Sequence, residues 1–276
     1  MLVSLLSCSS DDDNTTTQNL DATKIYEELN VSYGDDEDQV FDIYLPANRT
    51  LSTKYMILVH GGGWTSGDKT DMNNFIDLIQ QNFSNLGIIN INYRLASAGN
   101  SPFPMQTDDI TTIINKLKEK QVFYTIGDEF GFIGTSAGAH LSMLWSYNFD
   151  TENKSKMVCS IVGPTNFTDP SYDEPDYAII QASFGVIFPN QTDTFLESVS
   201  PYHTVTADAQ PTILFYGDSD PLIPTTQGVE MKAKLDALNV VNEFTLYEGE
   251  GHGWVGLNAI DTWTKLSAFM DTHLLN

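Results

Sequence analysis

A chain of 276 residues, 41% of them hydrophobic and 11% aromatic, can bury one large core or at most two small ones. Its charge is lopsided, with 37 acidic against 13 basic residues and a net of −24. That balance excludes nucleic acid as a partner and disfavours anionic membranes and free anionic substrates, because each needs a basic footprint on the protein.

In chain order, residues 1–20 are set apart from the fold as a signal remnant followed by a disordered acidic tether. Leu5-Leu6-Ser7-Cys8 resembles a bacterial lipobox, and Ser9-Ser10-Asp11-Asp12-Asp13 resembles the acidic export tether of surface lipoproteins. The resemblance implies a lipid anchor on Cys8 and an extracytoplasmic place, on an outer membrane or cell surface; the alternative is a cytoplasmic protein. Seven residues, none of them Lys or Arg, precede Cys8, which points to a truncated or misassigned start. No run of eighteen apolar residues exists, so no membrane-spanning helix is predicted. Cys159 sits in the apolar run 157–162 and reads as a buried strand residue, so no disulfide framework is inferred.

From residue 21 to 276 one catalytic domain is expected. Residues 25–33 and 39–45 alternate in polarity and predict an antiparallel pair turning at Gly34-Asp35-Asp36. Continuous apolar runs at 55–59, 88–92, 130–133, 157–162, 213–216 and 244–247 predict strands buried on both faces. Between them, Phe75, Ile76, Leu78, Ile79 and Phe83 mark one helix, and Ile110, Ile113, Ile114 and Leu117 mark another over 109–120. Further helices are predicted over 226–238 and 259–275. Strands alternating with helices make this an α/β protein with a mostly parallel central sheet covered on both faces. Residues 164–205, with five prolines and several aromatics, break that rhythm as a short insertion expected to wall the binding pocket.

The chemistry centres on Gly134-Thr135-Ser136-Ala137-Gly138, which joins the run at 130–133 to a helical pattern (Leu141, Met143, Leu144, Trp145). A serine on a sharp strand-to-helix turn projects its oxygen from a strained backbone, and glycines let the crossing chains approach. Its hydroxyl needs a histidine base, and the histidine needs a carboxylate to set its tautomer. Of the five histidines, His252 lies between glycines directly after the strand at 244–247 and is the expected base. His203 and His273 read as solvated, His140 points away from the active face, and His60 orders the glycine run that follows it. The acid is Asp220 or Asp218, both on the loop after 213–216. His60-Gly61-Gly62-Gly63-Trp64, after the strand at 55–59, offers outward-facing amides; those of Gly62, Gly63 and Ala137 are expected to hold a developing oxyanion. Trp64, Trp254, Phe184 and Phe188 are candidates to line the substrate pocket.

These motifs, spanning roughly residues 38–272, resemble the α/β-hydrolase-fold serine carboxylesterases. The nearest groups are the hormone-sensitive-lipase-like and the feruloyl or acetyl-xylan (BD-FAE-like) esterases. Asn92-Tyr93-Arg94-Leu95, Phe103-Pro104-Met105-Gln106-Thr107-Asp108-Asp109 and Ser200-Pro201-Tyr202 match further landmarks of that family in order. The resemblance selects Asp220, since Asp220-Pro221-Leu222-Ile223-Pro224 is similar to the family's Asp-x-x-Val-Pro turn, and it implies a buried Arg94–Asp108 ion pair. One departure from the hormone-sensitive-lipase relatives, an N-terminal region that reads as strands without their long helical cap, favours an open pocket. The expected function is hydrolysis of carboxylic esters through an acyl-enzyme on Ser136, with short acyl groups and acetyl or feruloyl esters of polysaccharide as substrates. No cofactor or metal is expected, and nothing in the sequence sets the oligomeric state. The competing readings are an arylformamidase, thioesterase or prolyl-type peptidase on the same three residues, or a catalytically silent binding protein of this fold.

Overall fold

The computed structural model describes residues 19–187 and 192–276. Cys8 and the pocket candidate Phe188 lie outside the described residues. Strands β1 (Tyr26–Ser32), β2 (Val40–Leu45), β3 (Tyr55–Val59), β4 (Gly87–Ile91), β5 (Phe130–Thr135), β6 (Ser155–Ile161), β7 (Thr212–Gly217) and β8 (Asn242–Tyr247) form one sheet. Its spatial order is β1-β2-β4-β3-β5-β6-β7-β8. The pairs β1–β2 and β2–β4 are antiparallel, as alternating polarity at 25–45 requires, and every other pairing is parallel.

Helices α1 (Asn73–Asn82), α2 (Pro102–Glu119), α3 (Gln121–Tyr124), α4 (Ala137–Asn148) and α5 (Ala178–Ile187) come first along the chain. They are followed by α6 (Asp193–Ser198), α7 (Pro201–Thr204), α8 (Thr225–Ala237) and α9 (Gly256–Met270). Side chains alternate across each inner strand and feed two cores. Tyr55, Ile57 and Val59 of β3 pack with Ile110 and Ile113 of α2, Leu141 of α4 and Leu235 of α8. Met56 and Leu58 face the other way, toward Ile76 and Ile79 of α1 and Leu266 and Phe269 of α9. Cover on both faces is why the inner strands are buried at nearly every position, and mostly apolar, rather than at every second one. Among the described residues no helix is long and apolar enough to cross a membrane.

The structure corrects the expected ion pair. Arg94 binds Asp109, not Asp108, through Nε at 3.0 Å to both oxygens and Nη2 at 2.6 Å to Oδ1. The buried stripe of α2 runs through Gln106, Thr107, Asp109, Ile110 and Ile113; Asp108 is one step of about 100° round the helix and faces solvent. Helix α2 also starts earlier than expected: after a break at Phe103 (φ −112°, ψ 130°), its regular turns run from Pro104. Sequence periodicity gave no sign of a second buried pair, Lys69–Asp42 at 3.2 Å, which ties the loop before α1 to β2.

The insertion at 164–205 is tied down by one buried amide. Gln227 of α8 accepts the backbone N–H groups of Thr165 and Asn166 at 2.7 and 2.8 Å and donates to Asp169 at 2.7 Å. Its α5 then lies with Phe184 against Trp64 and Phe167.

Candidate active site

Strand β5 ends in the turn that carries Ser136, whose backbone is held at φ 51°, ψ −120°. A non-glycine residue with positive φ costs of order 1–3 kcal/mol and persists only where its surroundings enforce it. Here Ser136 N–H donates to the Ile161 carbonyl at 2.8 Å, and the Ser136 carbonyl accepts from His140 N–H at 3.1 Å. The flanking glycines are steric requirements. A Cβ on Gly134 would lie 2.5 Å from the Gly138 carbonyl oxygen, and one on Gly138 would lie 2.2 Å from that of Val59.

The loops leaving β7 and β8 bring two more residues to this turn. His252 Nε2 lies 2.9 Å from Ser136 Oγ, and His252 Nδ1 lies 2.7 Å from Asp220 Oδ2. Asp220 is buried, and its Oδ1 accepts the N–H groups of Leu222 and Ile223 at 2.8 and 3.1 Å. With one oxygen held by backbone amides, the other is aimed at the imidazole. That geometry fixes Nδ1 as the protonated nitrogen and leaves Nε2 to accept from the serine hydroxyl. Asp218, the alternative acid, has a different partner: it accepts from Gly249 N–H at 2.7 Å and so clamps the two loops together.

The glycine run crosses in front of Ser136. Gly61, Gly62 and Gly63 line the same cavity as Ser136 and His252. Gly62 and Gly63 have φ of 103° and 57°, and a Cβ on Gly62 would fall 2.0 Å from the Ser66 carbonyl oxygen. His60 stabilises the run as expected, donating from Nδ1 to the Gly61 carbonyl at 2.7 Å while stacked on Tyr93. The Tyr93 hydroxyl donates to the His60 carbonyl at 2.8 Å. Burial pushes the His60 pKa down, so its ring stays neutral. The amides of Gly62, Gly63 and Ala137 donate to no protein acceptor among the described residues. Ala137 also opens α4, whose N-terminal dipole favours negative charge at the serine.

The cavity measures about 650 Å³. Trp254 lines it, with its indole N–H tied to Thr262 Oγ1 at 2.8 Å. Trp64 and Phe184 do not. Both are buried, 5% and 6% exposed, and pack edge-to-face on each other behind the glycine run. The expectation for the insertion changes with them, since no described residue of 164–205 lines the cavity. Its walls come from α1 and α9 instead, through Phe75, Leu78 and Trp263, with Asp71 and Asn74 at the rim. Sequence periodicity assigned Phe75 and Leu78 to the core stripe of α1. The available signal was their offset by one residue from Ile76 and Ile79, the pair that is buried.

Solved structures share this architecture. A truncated form of a carbohydrate esterase from gut microbiota superposes with a TM-score of 0.71 at 20% identity, over 91% of this chain and 99% of that one. Esterase B from Lactobacillus Rhamnosis gives 0.70 at 17% identity over 93% and 88%. An acetyl ester-xyloside bifunctional hydrolase from Caldicellulosiruptor lactoaceticus gives 0.70 at 16% over 91% and 96%. At these identities the likeness is one of fold, an α/β-hydrolase sheet with its helices. Family membership rests on the sequence itself: the BD-FAE profile matches residues 41–235, well over half the chain, from β2 through most of α8. This α/β-hydrolase chain therefore belongs to the BD-FAE family of esterases.

Proposed function

We propose that the protein is a serine esterase acting through an acyl-enzyme. Ser136 Oγ attacks the ester carbonyl carbon while His252 Nε2 takes its proton. Asp220, held by two backbone amides, orients the imidazole and stabilises its charged form. The amides of Gly62, Gly63 and Ala137 receive the carbonyl oxygen as it becomes negative. His252 then protonates the departing alcohol, and water attacks the acyl-enzyme by the same sequence in reverse. The observation that carries this reading is the unbroken hydrogen-bond chain Ser136–His252–Asp220 opening into a cavity.

Esters with small or aromatic acyl groups on a carbohydrate alcohol are the proposed substrates. The walls Phe75, Trp254 and Trp263 suit an apolar acyl group or a sugar face, and the polar Asp71 and Asn74 suit hydroxyl groups. Similar folds include a carbohydrate esterase, an acetyl ester-xyloside hydrolase and an esterase with propionate bound, which supports this choice. The net charge of −24 favours a neutral ester over an anionic one and assists release of the carboxylate product.

The test is a panel of p-nitrophenyl acetate, butyrate and longer esters with acetylated and feruloylated oligosaccharides, set against formylkynurenine and a prolyl amide. Turnover of the esters, abolished in Ser136→Ala, is the expected result. Preference for formylkynurenine or the amide would overturn it in favour of a formamidase or peptidase.

A further inference from the structure

His140 lies on α4 one turn after Ser136, yet none of the steps above uses it. It is 2% exposed, and both ring nitrogens are engaged. Nδ1 accepts from the Trp64 indole N–H at 3.1 Å, and Nε2 donates to the Val199 carbonyl at 2.7 Å. A neutral imidazole is the side chain that accepts on one edge and donates on the other in so small a space. Burial keeps it neutral by pulling its pKa down to about 4.

Trp64 directly follows the glycines. Its backbone is left-handed, φ 63°, an uncommon state for so large a side chain. Its carbonyl accepts from Gln106 Nε2 and from Ala96 N–H, both at 2.8 Å. Its ring is edge-on to Phe167 and Phe184 of the insertion. The glycine run has no side chains of its own; His60 and Ser66 hold its Gly61 and Gly62 carbonyls, at 2.7 and 2.8 Å, and Trp64 fixes the end that follows Gly63.

We infer that His140 is a positioning residue for the oxyanion site. Through Trp64 it holds the amides of Gly62 and Gly63 in register with that of Ala137, and through Val199 it anchors this arrangement to the insertion. One imidazole thereby joins the three segments whose relative placement sets the donors: the glycine run, the elbow helix and residues 164–205. This inference rests on the serine-esterase reading, and it assigns the insertion a bracing role.

Two substitutions separate the two bonds. In His140→Asn the amide oxygen occupies the place of Nδ1 and keeps the Trp64 bond. His140→Gln reaches Val199 but has no acceptor at the Nδ1 position. On p-nitrophenyl acetate, His140→Gln and Trp64→Phe are expected to lower kcat by about 10–100-fold with KM within about twofold. They should weaken an aliphatic trifluoromethyl ketone by the same factor, because its adduct with Ser136 Oγ places negative charge on the former carbonyl oxygen. His140→Asn should restore most of the lost rate, and the double variant His140→Gln/Trp64→Phe should be no worse than either single one. Thermal unfolding of each variant controls for loss of fold, and Trp64→Phe decides alone if His140→Gln does not fold. Wild-type-like kcat and ketone binding in folded His140→Gln and Trp64→Phe would overturn the inference. So would equal losses in His140→Asn and His140→Gln. Ser136→Ala run alongside keeps the readings apart: wild-type-like turnover there refutes the esterase mechanism, whereas loss of turnover in Ser136→Ala with unaffected His140 variants refutes the positioning role alone.

Discussion

Ser136 sits between two walls built on opposite principles. Behind the glycine run, Trp64, His140, Phe167 and Phe184 are all buried, and His140 is bonded on both edges. Across the cavity, α1 and α9 present Phe75, Leu78 and Trp263 only partly covered. Donors that stabilise a transition state work best when fixed in advance in a water-poor setting. A surface that receives a substrate must instead leave apolar area uncovered until the substrate arrives. On the proposed mechanism, the rigid wall serves the chemistry and the open wall the choice of ester.

Breaking the rigid side should cost most. Ser136→Ala or His252→Ala is expected to lower kcat on p-nitrophenyl acetate by roughly 10⁴–10⁶-fold, leaving only donor and binding effects. Gly62→Ala comes next, because its Cβ would meet the Ser66 carbonyl at 2.0 Å and push the run aside. A loss of about 10²–10³-fold in kcat is expected. Gly63→Ala, with nothing within 4 Å of its Cβ, should lose about tenfold from the left-handed backbone alone. Steady-state kinetics on both variants would show this ranking.

Acid should unsettle the same wall. His140 has its pKa lowered from 6.5 to about 4 by burial, so the unfolded chain binds this proton more readily than the folded one. Stability is thus fully present above about pH 6.5 and falls as pH drops toward 4, by about 3 kcal/mol for this residue. Urea unfolding at pH 7.5 and 4.5, with His140→Asn as the variant that removes this slope, measures it. The open wall should give the smallest effects. Trp254→Ala or Trp263→Ala is expected to raise KM for an aromatic ester about 5–10-fold and to leave kcat on the acetate within about twofold. A large kcat loss in either would assign these residues to the chemistry and erase the contrast.

Much of this was legible because it is local. Apolar runs at 55–59 and 130–133 read as strands buried on both sides, and the structure places them at the centre of the sheet. Gly134 and Gly138 flank Ser136 for a steric reason visible in the spacing alone, and the structure brings Ser136, His252 and Asp220 within hydrogen-bond reach. The misreadings share a cause as well. Asp108 and Asp109 are neighbours whose exposure is decided by the phase of α2, whose regular turns begin at Pro104, before the expected start at 109. Trp64 and Phe184 read as pocket residues because both lie close in sequence to segments expected at the site. The turn of the Trp64 backbone to φ 63° sends its indole to His140 instead, on a helix more than seventy residues away.

The sequence alone determined the strand–helix alternation, the order of the chemical residues and the sites where only glycine fits, since each follows from periodicity or from sterics within a few bonds. Tertiary structure decided which aromatics line the cavity, which aspartate pairs with Arg94, and that the described part of the insertion packs behind the glycine run rather than walling the cavity. Those outcomes depend on how distant segments pack, and a residue's type does not say which of two buried surroundings it will meet.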